Sequence, residues 1–204
     1  MAVQPQPLHR TARWKLCRVR IVGRFAKSED GVAAIEFALL AVPFFMLVFA
    51  IIESCVAFAA EQVLDNAVDS MSRQVRTGQI TFEMGRDTDM TAADFREAFC
   101  EQVSLMLSCD DDKLFLDVRS VANYGSFPVA IPREGNRPHG DLDDNGFGFD
   151  PGGPGSINMM RGFYKWPIIT DLVRPYITNI RPEDGSMPTN TLIVGTAAFV
   201  NEGF

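Results

Sequence analysis

The clearest pattern of apolar and polar positions begins at residue 37. Phe37 to Ile52 (FALLAVPFFMLVFAII) is sixteen residues without a charge, and adding Val32–Ile35 gives twenty-one residues interrupted only by Glu36. At 1.5 Å per residue such a helix spans roughly 31 Å, about one hydrocarbon core, so residues 32–53 read as a transmembrane helix. Past Glu53 the period changes character. Ala60, Leu64, Ala67, Met71 and Val75 recur on one face, which predicts an amphipathic continuation over 54–77, with Gly78 as its stop signal. One helix from Val32 to Thr77 would be roughly 69 Å long.

The remainder, 78–204, reads as a smaller mixed domain. Thr91-Ala92-Ala93-Asp94 is a capping-box variant, and Phe95, Phe99, Val103 and Met106 follow it on one helical face. Leu114–Val121 is a strand by its branched and aromatic content, with Leu114, Leu116 and Val118 on one face. Ile157–Trp166 and Thr191–Val200 are two further strands. Pro167–Val173 between them reads as a turn and short helix. The predicted fold class is α+β: a long, partly transmembrane N-terminal helix with a small antiparallel-sheet head.

Charge divides the chain at the same place. The first 30 residues hold seven Lys/Arg against Glu29 and Asp30, a net +5, whereas the other 12 Lys/Arg face 24 Asp/Glu, a net −12. A basic head segment before an apolar run places the N-terminus in the cytoplasm and the acidic body outside, periplasmic in a Gram-negative cell. An acidic body also excludes nucleic acid as its partner, because phosphate recognition needs positive charge. Two alternatives stay open. Ala57-Phe58-Ala59 before Ala60 fits a signal-peptidase site, which would release a soluble domain; the basic segment and apolar run are both longer than such a signal needs. The chain could also be an uncleaved bitopic anchor with a binding head.

Candidate chemistry is sparse. Of the four cysteines, Cys17 and Cys55 flank the apolar run, and Cys100 and Cys109 lie outside. An even number in an oxidising compartment predicts a Cys100–Cys109 disulfide. Nine positions along an unbroken helix would point the two side chains apart, so the helix must end before Cys109; two free thiols are the alternative. Asp141, Asp143 and Asn145, with Gly146, match the opening of a calcium loop. Position twelve is Gly152 rather than glutamate, and a flexible solvated loop carries the same composition. His9 and His139 have no nucleophile partner at an interpretable spacing, and no zinc or phosphate-loop motif occurs. No enzyme, metal or cofactor is expected.

Glu36 is the informative residue. A carboxylate inside a membrane helix costs about 2–3 kcal/mol unless it is paired or near the surface. It stands five residues after Gly31, behind a charged leader and ahead of the apolar run. This arrangement resembles the processing site of type IV prepilins and pseudopilins. The resemblance implies that a prepilin peptidase cuts between Gly31 and Val32, removing a leader of residues 1–31. It also implies that Glu36 of one subunit pairs with the Val32 amine of a neighbour. Gly31, Ala33, Glu36, Phe37, Ala38, Pro43 and the Ile52-Glu53 pair further resemble the TadE-like pseudopilins, minor components of the Flp/tight-adherence pilus. The Gly/Pro loop PGGPGS (151–156), the Tyr164-x-Trp166-Pro167 sequence and the run TAAFVNEGF (196–204) add to it, Gly203 standing where that family more often has proline. The resemblance implies a pilin-like fold, the inner membrane as location, and the prepilin peptidase, other pilin or pseudopilin subunits and the pilus assembly machinery as partners.

Overall fold

The structure is a computed structural model that describes residues 29–204. The described residues divide into two units, parting between Val48 and Phe49; the expected leader, with His9 and Cys17, lies outside the described residues. A helix α1, Glu29–Arg76, contributes to both units. It begins before Val32, where the apolar run alone placed its start, because Glu29 and Asp30 are acidic residues suited to a helix N-terminus. Pro43 lies inside it. In the first unit most apolar side chains from Val32 onward are exposed, Leu39 and Leu40 to 70% and 72%. Among the described residues this is the one helix long and apolar enough to cross a membrane.

The second unit is built on the amphipathic half of α1. Its stripe is buried as the period requires: Ala60, Leu64, Ala67, Met71 and Val75 are all within 3% of full burial. The helix stops at Gly78, whose φ of +74° is the left-handed conformation a helix exit needs, and the Gln79 amide closes the turn on the Gln74 carbonyl at 2.9 Å. Helix α2, Ala92–Val103, starts on the expected capping box. The Thr91 side chain accepts from the Asp94 amide, and the Asp94 carboxylate accepts from the Thr91 amide. Phe95, Phe99 and Val103 are buried beneath it.

Strands β1 (Leu114–Val121), β2 (Phe149–Asp150), β3 (Ile157–Pro167), and β4 (Asn190–Val200) form one sheet in the order β2-β1-β3-β4. The β1–β3 and β3–β4 pairs are antiparallel, as expected. The short β2 pairs with β1 in parallel, which corrects the expected antiparallel sheet to a mixed one. The short helix α3 is Arg174–Ile177, later than the 167–173 segment predicted to hold it. Thr170–Val173 forms the turn before it, and Pro175 is tolerated in the first helical turn, where its missing N–H costs no bond.

Both faces of the sheet are covered. On one, Leu114, Val118, Met160, Tyr164, Ile193 and Phe199 pack with the stripe of α1 and the apolar face of α2. On the other, Phe163 and Leu192 pack with Leu142 and Ile180 from the connecting loops. Hence β3 reads as an unbroken buried run from Asn158 to Tyr164 rather than an alternating one.

Candidate assembly segment and the latches of the head

Gly31, Val32 and Glu36 all lie within the first turns of α1. Val32 is 52% exposed and Glu36 is exposed, and among the described residues Glu36 has no ion-pair partner. The structure thus keeps the three close along one helix and leaves the carboxylate open on an apolar surface. Ala57–Ala60, the alternative cleavage site, is helical, and Ala60 is fully buried in the core of the second unit.

Cys100 and Cys109 come together because α2 ends at Val103. Their Cα atoms are 5.9 Å apart, within the range a disulfide spans, so the pair is disulfide-capable. Arg96 donates to the Cys109 carbonyl at 3.1 Å and to the Leu114 carbonyl at 2.8 Å, holding the returning chain against α2. The calcium-loop residues do not converge. Asp141 is engaged by Lys165 at 2.8 Å, while Asp143 accepts from the Asn145 side chain at 2.6 Å. Among the described residues no group of three or more His, Cys, Asp or Glu is placed to hold a metal. His139 contributes its carbonyl to the Arg181 amide.

Several side chains in the quoted motifs act as latches within the head. Asn201 is buried, and its side-chain amide donates to the carbonyls of Pro151 and Gly153 at 3.1 Å each; its side-chain oxygen accepts from Asn158 at 2.8 Å. The Gly/Pro loop and the 196–204 run are thereby knitted together. Glu202 pairs with Arg76 at 2.9 Å, and its amide donates to the Arg76 carbonyl, fixing the end of α1. The Phe204 ring fills the space over Gly78, where a Cβ would meet it at 2.4 Å. The Tyr164 hydroxyl lies 3.0 Å from the Ser108 hydroxyl, beside the Cys100–Cys109 turn. Glu53 accepts from the amides of Ile169 and Thr170.

Sequence reasoning missed a buried ionic cluster. Asp117 on β1 and Arg161 on β3 are register partners, their side chains 3.0 Å apart and almost wholly buried. Arg119 completes the cluster at 2.6 Å from the other Asp117 oxygen. The three lie on the sheet face away from the helices, with the Arg161 side chain also reaching the carbonyls of Pro128 and Ala130. The strand period puts Asp117 and Arg119 opposite the Leu114, Leu116 and Val118 face, and no local pattern pairs them with Arg161 on β3.

A family model described as TadE-like protein matches residues 31–73. This stretch of the chain is similar to the TadE-like family. The match starts at Gly31, includes Glu36, the apolar run and Glu53, and extends along most of the amphipathic stripe. The TadE-like family is a structural, pilus-associated one, and the helix it covers here is of a length and composition compatible with single-pass membrane anchoring. No match was found among curated proteins or among solved structures.

Proposed function

We propose that the protein is a minor pilin-like subunit of a Flp/tight-adherence pilus, processed by a prepilin peptidase between Gly31 and Val32. The observation that carries this reading is the TadE-like match beginning at Gly31 over a helix whose apolar run, Val32–Ile52, is largely exposed and holds one carboxylate, Glu36. Cutting at that bond removes the basic leader and keeps the apolar helix, which holds the subunit in the inner membrane with its head in the periplasm. The new Val32 amine, with an ordinary pKa of about 8, is a cation at an apolar helix start. Glu36 of an adjoining subunit is its partner. Leaving either charge unpaired in lipid is costly, so only the axial register that brings them together is favoured.

Retention of the helix, rather than release of the head by a cut near Ala60, is supported by what the head uses. Glu53 holds the Ile169–Thr170 turn, and Ala60 is part of the core. The Cys100–Cys109 pair is oxidised in this reading, as suits a periplasmic head. The role is structural. Glu36→Ala is expected to be processed and membrane-bound like the wild type but missing from sheared filaments. Its incorporation at wild-type level would remove the pairing from the mechanism.

A further inference from the structure

One end of the head exposes apolar side chains that neither core absorbs. Ile169 is 83% exposed, Leu172 59% and Tyr176 87%, all within the turn and short helix that follow β3. Their neighbours Ile168 and Thr178 are buried, so the segment is anchored from within while its three largest apolar groups face out. Isolated exposed apolar residues need no explanation, but three on one short stretch mark a contact surface.

Position decides the partner. Glu53, the residue that follows the apolar run, accepts hydrogen bonds from the Ile169 and Thr170 amides. Ile51 and Ile52, exposed to 55% and 53%, belong to the same compact unit as this turn. The opposite end of the head, where Arg76 meets Glu202 and Arg86 lies over Phe204, is charged. We propose that the 168–176 segment rests in the headgroup region of the bilayer, on the leaflet where the apolar run emerges. The occupant is lipid, and the Glu53 hydrogen bonds tie the segment to the residue directly after the exposed Ile51 and Ile52. The chemistry fits an interface rather than a hydrocarbon core. Tyr176 is an amphipathic ring of the kind that concentrates at headgroup depth. Asp171 is neutralised by Arg174 at 2.7 Å, so the segment enters without net charge from that pair.

The inference rests on the anchor reading, and its test separates the two. The full chain, with Cys17→Ser and Cys55→Ser and the Cys100–Cys109 pair kept, is spin-labelled at Ile169→Cys, Tyr176→Cys, Leu40→Cys or Leu105→Cys. Each is placed at one copy per nanodisc of phosphatidylethanolamine and phosphatidylglycerol. All four positions are exposed, so labelling leaves the core intact. Collision rates with oxygen and with a water-soluble nickel chelate report depth. The expected result is a lipid-depth signal at 40, an aqueous signal at 105, and headgroup-depth signals at 169 and 176. A lipid-depth signal at 40 with aqueous signals at 169 and 176 overturns the inference and leaves the anchor standing. An aqueous signal at 40 overturns both. Shielding of 169 and 176 only when several copies share a membrane would make a second subunit the occupant, and the lipid proposal falls.

Discussion

Gly162 of β3 and Gly195 of β4 stand directly opposite each other in the sheet, and α1 crosses over the pair. A Cβ at Gly162 would lie 3.1 Å from Val68 and 3.3 Å from Leu64; one at Gly195 would lie 2.9 Å from a carboxylate oxygen of Asp65 and 3.1 Å from Val68. The two glycines form a shallow seat that lets the helix approach the sheet backbone. Gly195→Ala is therefore expected to lower head stability by roughly 1–3 kcal/mol through overpacking. Gly185→Ala, which has open space but a φ of +72°, tests conformational strain alone. Denaturant melts of the detergent-solubilised chain compare them; a neutral Gly195→Ala would show that the helix is free to move off the sheet.

Asp117 is the centre of the buried cluster with Arg161 and Arg119. Removing it leaves the Arg161 guanidinium buried without its counter-charge, so Asp117→Ala is expected to cost about 3–5 kcal/mol. Replacing both partners, Asp117→Leu with Arg161→Met, is expected to recover a large part of that loss, because the penalty lies in the uncompensated charge. A double variant no better than the single one would show that the pair contributes more than mutual neutralisation.

Acid should loosen the loop around Asp89 before it unfolds the core. The Thr81 hydroxyl, followed by the amides of Arg86, Gly85 and Met84, holds the Asp89 carboxyl below its ordinary value of 3.8. A carboxylate with a lowered native pKa contributes its full stability above the ordinary value and loses it as pH falls through the native one. The protection of the Met84, Gly85 and Arg86 amides, taken relative to the intrinsic exchange rate at each pH, is thus expected to be high at neutral pH and to fall below the ordinary carboxylate range. In Asp89→Asn that pH step should vanish. Asp65 behaves oppositely: burial, with Asp69 beside it, raises its pKa, so its charged form is a liability that acid relieves. A wild-type loop whose protection relative to the intrinsic rate is flat through this range would contradict the assignment.

The Cys100–Cys109 link closes a loop of nine positions in sequence. Its loss in Cys100→Ser with Cys109→Ser is expected to cost about 2–3 kcal/mol. Alkylation before and after reduction, followed by mass measurement, reads the native redox state. Alkylation of both thiols without reductant would make them free cysteines.

Much of this architecture was legible because local pattern and final burial agree. The strand read at Leu114–Val121 has those bounds, those read at Ile157–Trp166 and Thr191–Val200 differ by one residue, and the Thr91 cap fixes α2 where the capping box placed it. What escaped depended on distant chain. Strand β2 is two residues long, too short for any period, and exists only through its pairing with Val118 and Arg119. Asp117 and Arg161 lie 44 residues apart, and no local pattern pairs them before the strands come into register. Glu53, Asn201, Glu202 and Phe204 were visible as parts of a family-like pattern, but the pattern did not say that they hold the Ile169–Thr170 turn, the Gly/Pro loop and the end of α1.

In the proposed function the chain is cut ahead of its apolar helix and keeps it. Intact mass and N-terminal sequencing of the protein isolated from native membranes address this directly. An N-terminus at Val32, with the apolar run retained, is the expected result. A polypeptide that still carries residues 1–31, or one that begins near Ala60, would contradict it.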